Sequence, residues 1–277
     1  MQKKVIGALV VMAGLLGVSS GGQTAQAASK KTSPYLNNST EYVRLKKTMY
    51  VGISQKSGKT YKPLLKKKGS LLAVAGIGGA ANDTDKAGNV IVRAAFTSGA
   101  VHYNRLKKLK YKGMISIPFK KSDFKSVKLK APIRTMLFQQ GTGFKSLGNW
   151  QYATPAAFYL TLDNYLQVYS AKAMSQRVGG AWKMSSSNLW KPTHSEKVSK
   201  VTVKGNTTVI DYKKPLAGVP GKKISKNHYR LTIKDLKQKH IQTFDPVDDT
   251  YDSQGTWTDY TVNGKAYFVG QLERGLD

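Results

Sequence analysis

The sequence predicts a mainly β protein, built of small barrel-like or sandwich-like domains that follow a cleaved signal peptide. Hydrophobic residues make up 40% and aromatic residues 10% of the 277 residues, which is enough apolar material for a real core. Short segments rich in β-branched and aromatic residues recur, and turns rich in glycine and lysine separate them. Helical patterns are weak: the one sizeable candidate, residues 160–174, contains Asn164 among aromatic and β-branched neighbours.

Residues 1–27 have the three parts of a secretory signal peptide. They begin with a positive region containing two lysines, continue with an apolar region over residues 5–18, and end at Ala25-Gln26-Ala27, a small-residue cleavage motif. The apolar region is shorter than the roughly 20 residues that a membrane-spanning helix needs. We therefore expect cleavage before Ala28 and a secreted or cell-surface location.

The chain contains no cysteine. This excludes disulfides, thiolate nucleophiles, cysteine-ligated metal sites and a lipoprotein anchor. An exported protein without cysteine is typical of Gram-positive bacteria, in which oxidative folding is little used.

A polar lead-in, residues 28–40, is followed by short predicted strands that are connected by basic turns. Turn residues cluster at 55–60 and 66–69, where glycine stands beside lysine. In the last predicted strand lysines alternate with apolar residues, as on a strand with one solvated face. The strand segments are residues 42–45, 49–53, 64–65, 71–75, 89–96, 111–119 and 127–138.

Two pairs of similar segments indicate an internal duplication. Residues 42–45 resemble residues 159–162 at an offset of 117, and residues 115–125 more loosely resemble residues 229–237. A chance likeness between lysine- and tyrosine-rich β segments is the alternative. The predicted organisation is a first basic β-domain over residues 41–140, a linker over residues 141–158, and a second β-domain with an acidic C-terminal segment over residues 159–277.

The charge is strongly positive and unevenly distributed. The whole chain carries 45 basic and 15 acidic residues, a net charge of +30. Loss of residues 1–27 leaves +28, with +33 on residues 28–244 and −5 on residues 245–277. Repulsion among so many positive charges destabilises the compact state, so we expect the charge to have a role in binding. The alternative is that the charge serves only to keep the protein soluble. Most of the charges are lysines, which suit a diffuse polyanion better than bidentate base recognition.

Nucleotide-binding and serine-enzyme motifs are matched only in part. Gly52 and Gly58-Lys59-Thr60 have five residues between the glycines where a P-loop has four, and Pro63 stands where a helix should begin. A basic hairpin turn is predicted instead. Ser122-Asp123-Phe124-Lys125 matches S-x-x-K, but it lies between predicted strands and not at the start of a helix.

Catalytic and metal sites are not evident in the sequence. The four histidines are scattered, so a Ser–His–Asp triad would have to assemble in space. The acidic cluster at residues 245–252 lacks the alternating aspartates, glycine and final glutamate of an EF-hand loop. We expect it to dock on or offset the basic body, with calcium binding as the alternative. No catalytic residue, cofactor or metal site is predicted.

Residues 42–77, with their lysine-rich strands and the Lys66-Lys67-Lys68-Gly69 turn, resemble secreted surface proteins of lactobacilli. Those proteins carry small SH3-like or S-layer-associated β-modules. The resemblance implies non-covalent, non-catalytic binding to the cell wall. It covers about an eighth of the chain and transfers no site residues, and the Gly-Trp dipeptides of one wall-binding module are absent.

These observations predict an exported, non-catalytic protein that binds anionic wall polymer, such as teichoic acid or peptidoglycan, through lysine-rich surfaces. An extracellular hydrolase of wall polymer and an adhesin for anionic host glycans are the alternatives. The membrane surface is a further candidate partner, and no specific nucleic acid is expected. Trp182 and Trp190 stand beside lysines and are candidates for glycan stacking, with core packing as the competing role. The predicted polyanion contacts are Lys66, Lys67, Lys68, Lys107, Lys108, Lys110, Lys112, Lys120, Lys121, Lys125, Lys128, Lys130, Lys222, Lys223 and Lys226.

Overall fold

Strands dominate the structure, a computed structural model, as the sequence predicts. It describes residues 32–96, 101–106, 111–131, 133–148, 151–175, 191–244 and 253–274. The N-terminal elements are β1 (Tyr42–Leu45), β2 (Met49–Ser57), β3 (Thr60–Lys66), β4 (Leu71–Gly78), β5 (Arg93–Phe96), α1 (Tyr103–Leu106), β6 (Tyr111–Met114), β7 (Ile117–Pro118) and β8 (Phe124–Ser126).

The remaining elements follow in chain order and are again almost all strands. They are β9 (Phe138–Gln140), β10 (Ser146–Gly148), β11 (Gln151–Tyr152), β12 (Ala157–Leu160), β13 (Tyr165–Tyr169), α2 (Ala171–Ser175), β14 (His194–Lys204), β15 (Thr207–Tyr212), β16 (Lys222–Ser225), β17 (His228–Phe244), β18 (Ser253–Val262) and β19 (Lys265–Arg274). Neither described helix is long and apolar enough to cross a membrane.

Two antiparallel sheets enclose the N-terminal core. One has the strand order β7-β5-β4-β1-β8 and the other the order β3-β2-β6. Alternate side chains of β1 (Val43, Leu45) and of β5 (Ala94, Phe96) point into this core, as the pleat of a half-buried strand predicts. The two-residue turn between β2 and β3 places Gly58 at φ 61, which is the basic hairpin predicted in place of a P-loop. The buried residues are Val43, Leu45, Val51, Ile53, Leu64, Leu72, Ala94, Phe96, Phe119 and Phe124.

Eight strands of the C-terminal part close into an antiparallel barrel. Each strand pairs with the next in the order β9-β12-β13-β14-β15-β17-β18-β19, and β19 pairs back with β9. Because the ring is closed, each of these eight strands pairs with a neighbouring strand on both sides. β16 pairs with the first residues of β17 outside the ring. The interior contains Phe138, Phe158, Leu160, Leu166, Val168, Val198, Ile210, Tyr212, Leu231, Ile233, Tyr260, Val262 and Tyr267.

The helical candidate at residues 160–174 is wrong. The chain there forms the end of β12, a turn, β13 and the short helix α2. Apolar residues in this segment alternate with a period of two, which is typical of a strand: Leu166 and Val168 face the barrel interior, and Gln167 lies on the opposite face. Asn164, at φ 65, forms the turn that reverses the chain.

Residues Ser33–Asp277 form one compact unit. β1 pairs with β4 and β8, whereas β12, its counterpart in the predicted duplication, pairs with β9 and β13. The segment predicted as a linker, residues 141–158, includes the β10–β11 hairpin and the buried side chain of Phe144. The duplication itself stays a prediction.

Candidate polyanion-binding site

Three segments that are distant in sequence bring basic side chains to one end of the N-terminal sheets. They are the end of β1, the turn between β3 and β4, and the region around β7 and β8. Eight of the nine side chains are exposed, and Lys66 is half-buried. We call this surface the basic end; its members are Arg44, Lys46, Lys47, Lys66, Lys67, Lys68, Lys120, Lys121 and Lys125.

Backbone hydrogen bonds attach the lysine turn to the end of β1. The Leu45 N–H donates to the Ser70 carbonyl at 3.0 Å, and the Gly69 N–H donates to the Leu45 carbonyl at 2.8 Å. The Arg44 guanidinium donates to the Gly69 carbonyl at 2.9 Å. The Lys68 N–H donates to the Thr48 hydroxyl at 3.2 Å. These bonds fix the path of the turn while its lysine side chains extend into solvent.

The third segment joins the same surface through strand pairing. Arg44 of β1 lies directly opposite Lys125 of β8. The Lys46 ammonium donates to the Lys121 carbonyl at 2.7 Å, and the Lys46 N–H donates to the Asp123 carbonyl at 2.8 Å. Like charges directly opposite each other destabilise a sheet. An anion lying over both side chains would relieve this repulsion.

Asp123 is the carboxylate of this surface. Its Oδ1 lies 2.7 Å from the Lys47 ammonium, and its side chain is 13% exposed. Burial opposes its ionisation, but hydrogen bonds from Lys47 and Ser122 and the charges of Lys47 and Lys120 hold its pKa below the usual value. Asp123 therefore stays charged and forms an ion pair with Lys47. Among the described residues, the other exposed cations of the basic end form no ion pair.

Lys66 differs from the other lysines of the turn. Burial, and secondarily the charge of Arg105 in α1, lowers the pKa of its ammonium. Its burial makes it the least suited of these side chains to contact a polymer in solvent.

The other predicted contacts lie elsewhere. Lys128 and Lys130 are exposed after β8 and alternate with more buried neighbours, as predicted. Lys222 and Lys223 of β16 and Lys226 of the next turn are exposed and form a second lysine group on the barrel. Lys112 lies in β6 opposite Ser54. Residues Lys107, Lys108, Lys110, Trp182 and Trp190 and the acidic cluster at 245–252 lie outside the described residues.

One histidine, one serine and one aspartate meet on the outer wall of the barrel. His102 Nε2 lies 2.8 Å from Ser195 Oγ, and the His102 ring stacks on Tyr165. Asp163, however, accepts a hydrogen bond from the backbone N–H of His102 at 2.9 Å, and Gln167 accepts one from the N–H of Tyr103 at 2.7 Å. These bonds hold the start of α1 on β13 and do not form the relay in which an acid orients a histidine ring.

Of the four tryptophans, Trp257 lies within the described residues, and it is a core residue. It is 8% exposed and packs edge-on against Phe144 beneath the β10–β11 hairpin. Within the described ranges, no group of three or more histidine, aspartate or glutamate side chains is placed to hold a metal ion.

Comparisons with known proteins do not identify a family for this chain. No protein-family model, no curated protein and no solved structure matches the chain. The resemblance to wall-binding modules of lactobacilli therefore stays a prediction, and the candidate site depends on its own geometry.

Proposed function

We propose that the protein is exported and acts without catalysis by binding an anionic polymer of the cell envelope. The main contact is the basic end. The observation that carries this proposal is the convergence of nine basic side chains from three segments around a single partnered carboxylate, Asp123. The second lysine group, at Lys222, Lys223 and Lys226, gives a long polymer a further point of attachment.

The chemistry of the surface favours a diffuse polyanion over a small anion. Seven of its exposed cations are lysines, whose flexible ammonium groups follow a polymer of variable shape. They lie on strand ends and turns. Teichoic acid supplies repeated phosphates of this kind, and the predicted signal peptide would place the protein beside it.

The first test is sedimentation of the mature chain, from Ala28, with purified walls that contain or lack teichoic acid. We expect binding to require the polymer and to weaken steeply between about 50 and 200 mM salt, because bound counterions are released on association. Binding that is independent of both salt and teichoic acid would contradict the proposal.

Charge-matched variants locate the contact. We expect Lys68→Gln, Lys121→Gln and Lys125→Gln together to reduce the slope of log K against log salt by about two. The control is Lys197→Gln, Lys200→Gln and Lys204→Gln, three exposed lysines of β14 that remove the same charge from the barrel. Equal losses in both variants would assign binding to net charge and not to the basic end.

The same incubation separates the alternatives. Release of soluble wall fragments would indicate a hydrolase and would contradict the non-catalytic part of the proposal. Tighter retention on sulfated or sialylated host glycans than on walls, at the same salt, would favour an adhesin.

A further inference from the structure

A cavity of about 340 Å³ opens at one end of the barrel. Its walls include Val203 of β14, Thr208 of β15, Ile233 of β17 and Tyr260 of β18, and Ile133 and Met136 close it from the segment before β9. An eight-stranded barrel is wide enough to hold one small ligand. This volume lies at the lower end of the range of small-molecule pockets, about 300–1,000 Å³.

Three polar residues at the rim of the cavity, Asn206, Asp235 and Lys237, are joined by hydrogen bonds. Asn206 Nδ2 donates to the Asp235 carbonyl at 2.7 Å, and the Asp235 N–H donates to the Asn206 carbonyl at 2.9 Å. The Lys237 N–H donates to Asp235 Oδ1 at 2.7 Å. These bonds fix the rim on the side of the β14–β15 turn.

Lys237 occupies a strained position at this rim. Between Asp235 and Lys239, β17 contains two more residues than β18 does between their partners, Tyr260 and Thr258. The bulge places Lys237 at φ 58, a left-handed conformation that lysine rarely adopts. Bulges at barrel rims re-aim side chains, and strain of this kind is concentrated at binding sites.

The charge around the rim favours an anionic head group. Exposed Lys204, Lys234 and Lys237 lie at or next to the rim, against the single carboxylate of Asp235, which already accepts a hydrogen bond. Burial, and secondarily the charge of Asp235, raises the pKa of Tyr260 to about 12, so its hydroxyl remains a neutral donor.

We propose that this end of the barrel binds a medium-chain acyl carboxylate, with the chain among Val203, Ile233 and Tyr260 and the carboxylate facing Lys237. This site is separate from the basic end, and its occupancy does not depend on polymer binding. The small volume selects a medium chain over the long chains of membrane lipids.

The test is isothermal titration calorimetry of the mature protein with decanoate, and with decyltrimethylammonium as a probe of the same chain and opposite charge. We expect one decanoate per chain and weak or no binding of the cation. Val203 is 37% exposed, so Val203→Trp fills the opening at little cost in folding and should weaken decanoate binding at least about tenfold. Ile224→Trp, at a 42% exposed position of β16 that does not line the cavity, is the control and should bind like the parent.

The parent, Val203→Trp and Ile224→Trp carry the same charge, so adsorption of decanoate to surface lysines would affect all three equally. A second pair needs no bulky residue: Lys237→Gln should weaken decanoate binding about two- to fivefold, whereas Lys239→Gln, on the same strand, should not. Decanoate binding that survives both Val203→Trp and Lys237→Gln, or cation binding as tight as that of decanoate, would overturn the proposal.

Discussion

Gly52 shows how one residue without a side chain lets two strands approach. It lies at φ 78 in a bulge of β2, and a Cβ there would collide with the carbonyl oxygen of Ile115. Gly58 has a similar φ of 61 but faces open space. We expect Gly58→Ala to lower the free energy of unfolding by about 1 kcal/mol through backbone strain, and Gly52→Ala to lower it by about 3 kcal/mol or more, because a clash is added. Urea denaturation at pH 7 measures both, and equal losses would contradict the close approach.

At the residue scale the sequence predicted part of the basic end. The lysines of the β3–β4 turn and of the β7–β8 region stand in visible clusters, so they could be named in advance. Arg44, Lys46 and Lys47 were missed, although the Lys46-Lys47 pair after a predicted strand was a usable signal. The approach of His102 to Ser195 had no such signal, because 93 residues separate them and only the docking of α1 on the barrel brings them together.

The strand pair β15–β17 is, like β9–β19, one of the pairings that complete the barrel, and an ion pair lies across it. Asp211 and Arg230 are direct partners, with Arg230 Nε 2.8 Å from Asp211 Oδ1 and His228 Nε2 3.0 Å from the same oxygen. Burial opposes ionisation of Asp211, but the hydrogen bonds and charges of Arg230 and His228 hold its pKa below the usual value. The stabilisation is therefore present above the ordinary aspartate pKa, near 4, and is lost as pH falls through the lowered value.

We expect Asp211→Asn to lower the free energy of unfolding by about 1–2 kcal/mol at pH 7, and the difference from the parent to shrink below pH 4. Asp83→Asn, which breaks a more exposed pair with Arg93, is the matched control and should cost about 0.5 kcal/mol or less. Thermal denaturation followed by circular dichroism between pH 3 and 7, a range chosen around the ordinary aspartate pKa, measures both. A loss that is constant across this range would show that ionised Asp211 does not stabilise the closure.

At the element scale, the sequence predicted strand content better than strand limits. Residues 127–138 were predicted as one strand, but β8 ends at Ser126 and β9 begins at Phe138. The alternating exposure of residues 127–131 is real, yet the ladder between β8 and β1 ends with one hydrogen bond, from the Val127 N–H to the Tyr42 carbonyl. Alternation reports which side of a segment is solvated, whereas a strand also needs a neighbour, and the neighbour is decided by tertiary structure.

The barrel itself was not predictable from local patterns at the scale of the whole molecule. Its closure depends on β9 pairing with β19, for example Gln139 with Phe268, across most of the C-terminal part. β17 is longer than the ring needs: β15 pairs with it only over Tyr229–Lys234, and from Lys239 to Phe244 the pairings among the described residues are with β18 alone. Net charge, by contrast, is fully readable from the sequence, and it makes a prediction about folding as well as binding.

After signal cleavage the chain would carry a net charge of +28, and few of its lysines have carboxylate partners among the described residues. Repulsion between them destabilises the compact state, and salt screens it: the screening length falls from about 30 Å at 0.01 M to about 10 Å at 0.1 M. Folding and polymer binding should therefore respond to salt in opposite directions. We expect the Tm of the mature protein to rise by about 3–6 °C between 10 and 200 mM sodium chloride, which corresponds to a gain of about 1–2 kcal/mol.

The Lys68→Gln, Lys121→Gln and Lys125→Gln variant separates screening from other effects of salt. Because it removes three charges from a crowded surface, it should have a higher Tm than the parent at 10 mM sodium chloride, and the two should converge at 200 mM. Soluble teichoic acid should raise the Tm of the parent at 10 mM salt, since a ligand of the folded state stabilises it, and should raise that of the variant less. A Tm that is flat or falls with sodium chloride would show that the positive field is already neutralised within the fold, and the case for an external polyanion would lose its physical basis.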